Sequence, residues 1–124
     1  MAKNNTEDFI STFNILKQIL KKYQKHLKVK SDKKDAFNLY AGYSEKYKRD
    51  IYFGGVEIKK NYVSFHLMPV YINPELLKDI SPDLKKRMQG KSCFNFKTVN
   101  KQHIKELTVL TKKGFDYYKR EGMI

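Results

Sequence analysis

The amino-terminal part of the chain has apolar residues spaced alternately four and three positions apart, which is the period of an amphipathic helix. The residues that follow this spacing are Phe9, Phe13, Leu16, Leu20, Tyr23 and Leu27. Asn5 or Thr6 is a suitable N-cap for such a helix. The pattern therefore predicts a helix across residues 9–27, and the polar residues at 30–35 predict a break after it.

The middle of the chain alternates apolar and polar residues, which is the period of a β-strand. The alternation runs over residues 37–42, then over 50–58, and then over 62–68. Within the second run, Gly54-Gly55 predicts a bulge or a bend. Residues 51–68 are therefore expected to form a hairpin, in which alternate side chains face opposite sides of the sheet.

Two signals for short helices follow, each with a capping residue, a proline at the first helical position and an early acid. They are Asn73-Pro74-Glu75 and Ser81-Pro82-Asp83. Residues 92–96 predict another strand, and Asn100 is expected to cap a final helix. This order predicts an α+β fold, in which an antiparallel sheet packs against N- and C-terminal helices and two short helices precede the last strand. No repeat or long linker divides the chain, so we expect a single domain over residues 1–124.

The chain of 124 residues is strongly basic, because 26 Lys and Arg against 13 Asp and Glu give a formal net charge of +13. A cationic surface attracts nucleic acid, phosphorylated metabolites, acidic proteins or anionic lipid. Alternatively, the charge reflects only a Lys-rich proteome. The single cysteine excludes an internal disulfide and fits a reducing compartment. Because no apolar run is long enough for a membrane span or a secretory signal, we expect a cytoplasmic protein with no membrane partner.

The most unusual segment is the predicted strand at 92–96, since five cations surround it. These cations are Lys85, Lys86, Arg87, Lys91 and Lys97. An anion is expected to lie between Arg87, Lys91 and the side-chain amide of Asn95. In the alternative interpretation the lysines are a solvated helix face and the phenylalanines of the strand belong to the core.

Three other chemistries are possible from the residue types. Cys93 beside His66 or His103, with Asn95 to orient the base, would be a nucleophile. His66 and Cys93, both on predicted strands, are the residues that could approach one another as soft-metal ligands. A series of tyrosines lies among cations and is typical of surfaces that stack bases and hold phosphates. The tyrosines are Tyr40, Tyr43, Tyr47, Tyr52 and Tyr62, and the cations are Lys46, Lys48, Arg49 and Lys60. The alternative for these tyrosines is a half-buried position at the sheet rim.

The central part of the chain resembles a known family. The matching segments are YVSFHLMPVY at 62–71, PELL at 74–77, ISP at 80–82 and LKKRMQGKSCFNF at 84–96. These segments resemble the YdhG-like family of small bacterial domains, which is related to frataxin homologues and includes members described as frataxin-like iron chaperones. The resemblance implies a compact α+β domain with an antiparallel sheet against helices, in a cytosolic bacterial setting. The positions that match the family's motif are His66, Arg87, Lys91, Ser92 and Asn95.

Together, the residues and the resemblance predict a small cytosolic, non-enzymatic binding domain whose ligand is an anionic small molecule or a nucleic acid. The expected ligand-binding residues are His66, Arg87, Lys91, Ser92 and Asn95. No cofactor and no catalytic residue is expected. The first alternative is a frataxin-like iron-binding metallochaperone, although the charge of +13 disfavours iron because hard cations prefer oxygen ligands in a negative field. The second alternative is a single-stranded nucleic-acid-binding module.

Overall fold

A computed structural model describes residues 5–124, with side chains described from Asp8 onward. The predicted N-cap at Asn5 or Thr6 therefore lies outside the described side chains. The helices are α1 (Asn5–Lys21), α2 (Met68–Ile72), α3 (Pro82–Lys85) and α4 (Lys101–Arg120), with two 3₁₀ helices at Gln24–His26 and Pro74–Leu77. The strands are β1 (Lys28–Lys33), β2 (Ala36–Ser44), β3 (Arg49–Ile58), β4 (Val63–Leu67), β5 (Met88–Gln89) and β6 (Cys93–Phe96).

The six strands form one antiparallel sheet in the order β1-β2-β3-β4-β6-β5. Helices α1 and α4 pack on the face of the sheet that carries the apolar residues of the strands, so the α+β architecture predicted from the sequence is confirmed. The ring of Tyr118 on α4 lies 5.5 Å from the ring of Phe53 on β3. The core therefore forms between one sheet face and two long helices. Within residues 5–124, neither long helix covers the other face, which we call the open face.

Helix α1 is shorter than its apolar spacing predicts, because it ends at Lys21 rather than at residue 27. The chain then turns through the 3₁₀ helix into β1, and Tyr23 still packs with its ring 4.7 Å from that of Phe115. The polar residues 30–35 were expected to be a break, but residues 28–33 form β1. An edge strand pairs through its backbone and needs no apolar pattern, so polar residues do not prevent it.

Strand β3 continues through Gly54-Gly55 without a break. Its pairing with β2 has two irregularities. One lies one residue earlier, because Gly54 is opposite Leu39 whereas Tyr52 is opposite Tyr40, and the other leaves Ala41 of β2 without a partner. Phe53 is thus the extra residue of a β-bulge, and the bulge shifts the alternation. As a result Phe53 enters the core while Tyr52 lies on the open face with Glu57.

The short segments after β4 are more numerous than the two that the sequence predicts. The predicted pair is present at residues 74–77 and 82–85, and the sequence pattern did not indicate α2 or the two-residue strand β5. Helix α4 begins as expected after Asn100, whose side-chain Oδ1 accepts a hydrogen bond from the backbone N–H of His103 at 2.7 Å. Gly114 lies against Pro69, since an added Cβ would be 3.0 Å from the ring atoms of that proline. Within residues 5–124, none of the helices combines the length and hydropathy that a membrane span requires.

Candidate anion-binding site on the sheet

The open face of the sheet carries a straight row of residues across five strands. Asn38 is opposite Gly55, Gly55 is opposite His66, His66 is opposite Cys93, and Cys93 is opposite Gln89. His66 and Cys93 are thus cross-strand neighbours, an approach that their positions on two predicted strands allowed. Polar and aromatic side chains meet on this face because opposite residues of an antiparallel pair project to the same side.

A hydrogen-bond network occupies the centre of this face. The Tyr52 hydroxyl donates to Asn38 Oδ1 at 2.8 Å, and Asn38 Nδ2 donates to Glu57 Oε2 at 3.2 Å. Lys59 Nζ donates to Glu57 Oε1 at 2.8 Å, and this bond is the main cause that lowers the pKa of Glu57. Gly55 makes room for the network, because an added Cβ would collide with Asn38 Oδ1 and the Tyr52 hydroxyl. The negative charge at the centre of the face is therefore already compensated by a lysine.

The environment of Cys93 and His66 favours the neutral form of both groups. Cys93 Sγ lies 2.7 Å from Ser64 Oγ and donates weakly to Asn95 Oδ1 at 3.9 Å, and burial raises the pKa of the thiol. His66 packs edge-on against the ring of Tyr52 at 6.0 Å, and burial lowers its pKa. The described hydrogen-bond partners of the thiol are a serine and an asparagine rather than a histidine.

His103, the other histidine considered as a base, has a structural role. Its Nδ1 accepts a hydrogen bond from the backbone N–H of Asn100 at 3.3 Å, so the proton of the neutral ring is on Nε2. That Nε2 lies 2.7 Å from Asp83 Oδ2 and is the donor of this bond. His103 thereby completes the capping box of α4 and joins the helix to α3.

Arg87 and Asn95 lie side by side at the β5–β6 edge of the open face. The backbone N–H of Asn95 donates to the carbonyl of Arg87 at 2.8 Å, which extends the register of the β5–β6 pair. Both residues line a recess of about 630 Å³, which we call the edge recess. Its other polar lining residues include Asn61, Gln89 and Lys97.

The edge recess has a cationic lining. Within the described chain, neither Arg87 nor Lys97 makes an ion pair, and none of the residues that line the recess carries a carboxylate. Asn61 was not among the residues expected from the sequence. It joins the recess because Val63 is opposite Phe96, which brings the β3–β4 turn beside Lys97. Only the pairing register, which the sequence does not display, would have identified it.

The structure does not bring the five expected ligand-binding residues together. Arg87 and Asn95 share the edge recess, whereas His66 lines a separate recess of about 320 Å³ with Tyr52 and Glu57, among others. Ser92 is buried, and its carbonyl accepts a hydrogen bond from the backbone N–H of Leu67 at 2.9 Å.

Lys91 lies at the far end of the β5–β6 hairpin from Arg87. It occupies the turn between the two strands, with Nζ 6.0 Å from the ring centroid of Tyr71. Of the three residues expected to hold an anion, the structure thus brings together only Arg87 and Asn95. The reason is the hairpin register, which sets Arg87 opposite Asn95 and leaves Lys91 at the tip.

Comparison with known proteins adds no relative from which a function can be transferred. A scan against protein-family models, a search of curated proteins and a search of solved structures each found no match to this chain. The resemblance to the YdhG-like family therefore stays a prediction. Among the residues that the structure describes, no group of three or more His, Cys, Asp and Glu side chains is placed to hold a metal ion.

Proposed function

We propose that this protein is a small, non-enzymatic binding domain that holds an anionic ligand in the edge recess. The observation that carries the proposal is the lining of this recess, where Arg87 and Lys97 stand beside the amides of Asn61 and Asn95 with no carboxylate among the lining residues. An anion in the recess gains two cations, and it also gains amide N–H donors. A metal cation would meet repulsion from the same two side chains.

The mechanism is charge attraction followed by directed hydrogen bonds. The overall charge of +13 raises the local concentration of anions around the protein. Inside the recess, the guanidinium of Arg87 is able to bind two oxygens of a phosphate or a carboxylate at once, whereas Lys97 acts as a point charge. The proposal thus retains Arg87 and Asn95 from the sequence prediction and adds Lys97 and Asn61 as ligand-binding residues.

Titration with inorganic pyrophosphate, followed by amide chemical shifts and calorimetry, tests this proposal. We expect shifts at Asn61, Asn95 and Lys97 and an affinity that falls as salt increases. Arg87→Ala should weaken the binding about tenfold or more, because a charge-assisted pair is lost. Lys86→Ala is the matched control, since Lys86 is an exposed cation of the same segment that does not line the recess.

The result that overturns the proposal is equal binding to Arg87→Ala, Lys86→Ala and the unchanged protein. Uniform small shifts over the whole surface would contradict it as well, because they indicate that the net charge alone attracts the anion. Circular dichroism of each variant establishes that the fold is retained.

A further inference from the structure

A third recess lies at the end of the sheet where the β2–β3 hairpin faces α2. It has a volume of about 320 Å³, and we call it the tyrosine pocket. Its lining residues are Tyr47, Arg49, Asp50, Ile51, Tyr52, Met68, Tyr71 and Ile72. Three tyrosines therefore line one cavity whose other lining residues are mostly apolar.

We propose that the tyrosine pocket binds a nucleotide, with the base against the tyrosine rings and the phosphate beside Arg49 and Lys91. Tyr71 is 54% exposed and Tyr47 is 42% exposed, and a lysine lies near one side of each ring, since Lys91 Nζ is 6.0 Å from the Tyr71 centroid and Lys46 Nζ is 5.3 Å from the Tyr47 centroid. Large aromatic side chains exposed together at a cavity are typical of surfaces that stack planar ligands. These tyrosine rings are the reason for proposing a ligand with a planar group, the base of the nucleotide.

The position of Tyr52 is fixed before any ligand arrives. Its hydroxyl is held by Asn38 Oδ1 at 2.8 Å, and its ring lies edge-on to that of Tyr40 at 5.2 Å. Its backbone carbonyl accepts a 2.6 Å hydrogen bond from the Tyr118 hydroxyl. A wall that is already ordered loses little entropy on binding, which favours affinity.

The charge around the pocket indicates the anionic part of the ligand. Arg49 lines the pocket and has no carboxylate partner among the described residues, and Lys91 Nζ lies 6.0 Å from the ring centroid of Tyr71. The single lining acid, Asp50, is engaged by Lys30 Nζ at 3.2 Å. The pocket therefore offers a phosphate one cation in its lining, Arg49, a second cation beside Tyr71, and one neutralised acid. This charge favours a nucleotide over a cationic aromatic ligand.

The nucleotide has two possible sources, a free mononucleotide and a nucleotide within single-stranded nucleic acid. We would titrate the protein with adenosine 5′-monophosphate and with a single-stranded deoxyadenosine octamer, and follow amide shifts at Tyr47, Tyr52 and Tyr71. Binding of the monophosphate alone identifies a free nucleotide, and stronger binding of the octamer identifies a nucleic-acid strand. Absence of both overturns the proposal. Inorganic phosphate that binds this pocket as strongly as the monophosphate also overturns it, because the rings then contribute nothing.

Variants separate the contribution of the rings from that of the charge. Tyr71→Ala should weaken binding of whichever nucleotide binds about tenfold or more, since stacking on a ring is lost. Tyr43→Ala is the matched control, because Tyr43 is 58% exposed and does not line the pocket. Lys91→Ala should make the affinity for the nucleotide less dependent on salt concentration, and Lys85→Ala is its control. Equal affinity for Tyr71→Ala and Tyr43→Ala would overturn the proposal.

Because Arg87→Ala changes only the edge recess, it should leave nucleotide binding in the tyrosine pocket intact. The two proposals can therefore fail separately.

Discussion

The hydroxyl of Tyr118 on α4 donates a 2.6 Å hydrogen bond to the backbone carbonyl of Tyr52 on β3. Tyr52 directly precedes Phe53, the extra residue of a β-bulge, so the bond connects the C-terminal helix to one of the irregular points of the sheet. Burial raises the pKa of Tyr118, which keeps its hydroxyl protonated and able to donate. This one contact helps to set the direction in which Tyr52 enters the open face.

Replacement of Tyr118 by Phe tests the importance of this bond. We expect Tyr118→Phe to lower the free energy of unfolding by about 1–3 kcal/mol, because it leaves a buried carbonyl without its donor. Urea unfolding measures the change. Tyr117→Phe is the neighbouring control, since that hydroxyl has no hydrogen-bond partner in the described structure. A loss of the same size in both variants would contradict the role given to the bond.

Gly54 is required by the close approach of β3 and β4. A Cβ at Gly54 would lie 2.8 Å from the backbone carbonyl oxygen of His66, and a backbone atom in mid-sheet cannot move away cheaply. We expect Gly54→Ala to destabilise the protein by about 1–3 kcal/mol, which is the usual range for an overpacked core. Thermal unfolding of Gly54→Ala beside Gly122→Ala gives the comparison. Gly122 has open space around it and a φ of +75°, so its variant reports backbone strain alone. If Gly54→Ala lowers the free energy of unfolding less than Gly122→Ala does, strands β3 and β4 move apart to accept the added Cβ, and the prediction is wrong.

The lowered pKa of His66 predicts how stability depends on pH. The half-buried imidazole resists protonation in the folded state, whereas in the unfolded chain it binds a proton at its ordinary pKa. Below that ordinary pKa the unfolded state binds more protons, so stability falls as pH decreases from 7.5 to 5.5. Glu57 and Lys59 face the same ring and act in opposite directions on its pKa.

His66→Gln should flatten this part of the pH profile of urea unfolding. His26→Gln, at a histidine exposed on the surface, is the control variant, and an equal flattening in that variant would contradict the role given to His66. If the free energy of unfolding of His66→Gln still falls as the pH decreases, a group other than His66 causes the effect.

The surroundings of Cys93 predict a slow thiol. Because burial raises its pKa, little thiolate is present near neutral pH. We expect N-ethylmaleimide to modify the folded protein at pH 7.5 well below the rate for the same chain in urea. Mass spectrometry over time measures both rates. Equal rates would return Cys93 to consideration as a nucleophile.

Local sequence patterns determined the parts of this protein whose causes are local. The apolar spacing of α1, the alternation of β4 and the Asn100 cap of α4 depend on residues within a few positions of one another, and the structure contains all three. The α+β class followed from the order of these elements. The charge of +13 and the cations near Arg87 likewise predicted an anionic ligand.

Only the tertiary structure decided which of these residues meet. Strand β1 exists because its backbone pairs with β2, although its side chains show no strand pattern. The pairing registers placed Arg87 with Asn95, Asn61 and Lys97 and left Lys91 beside Tyr71. Register depends on hydrogen bonds and packing between segments distant in sequence, so no local period encodes it.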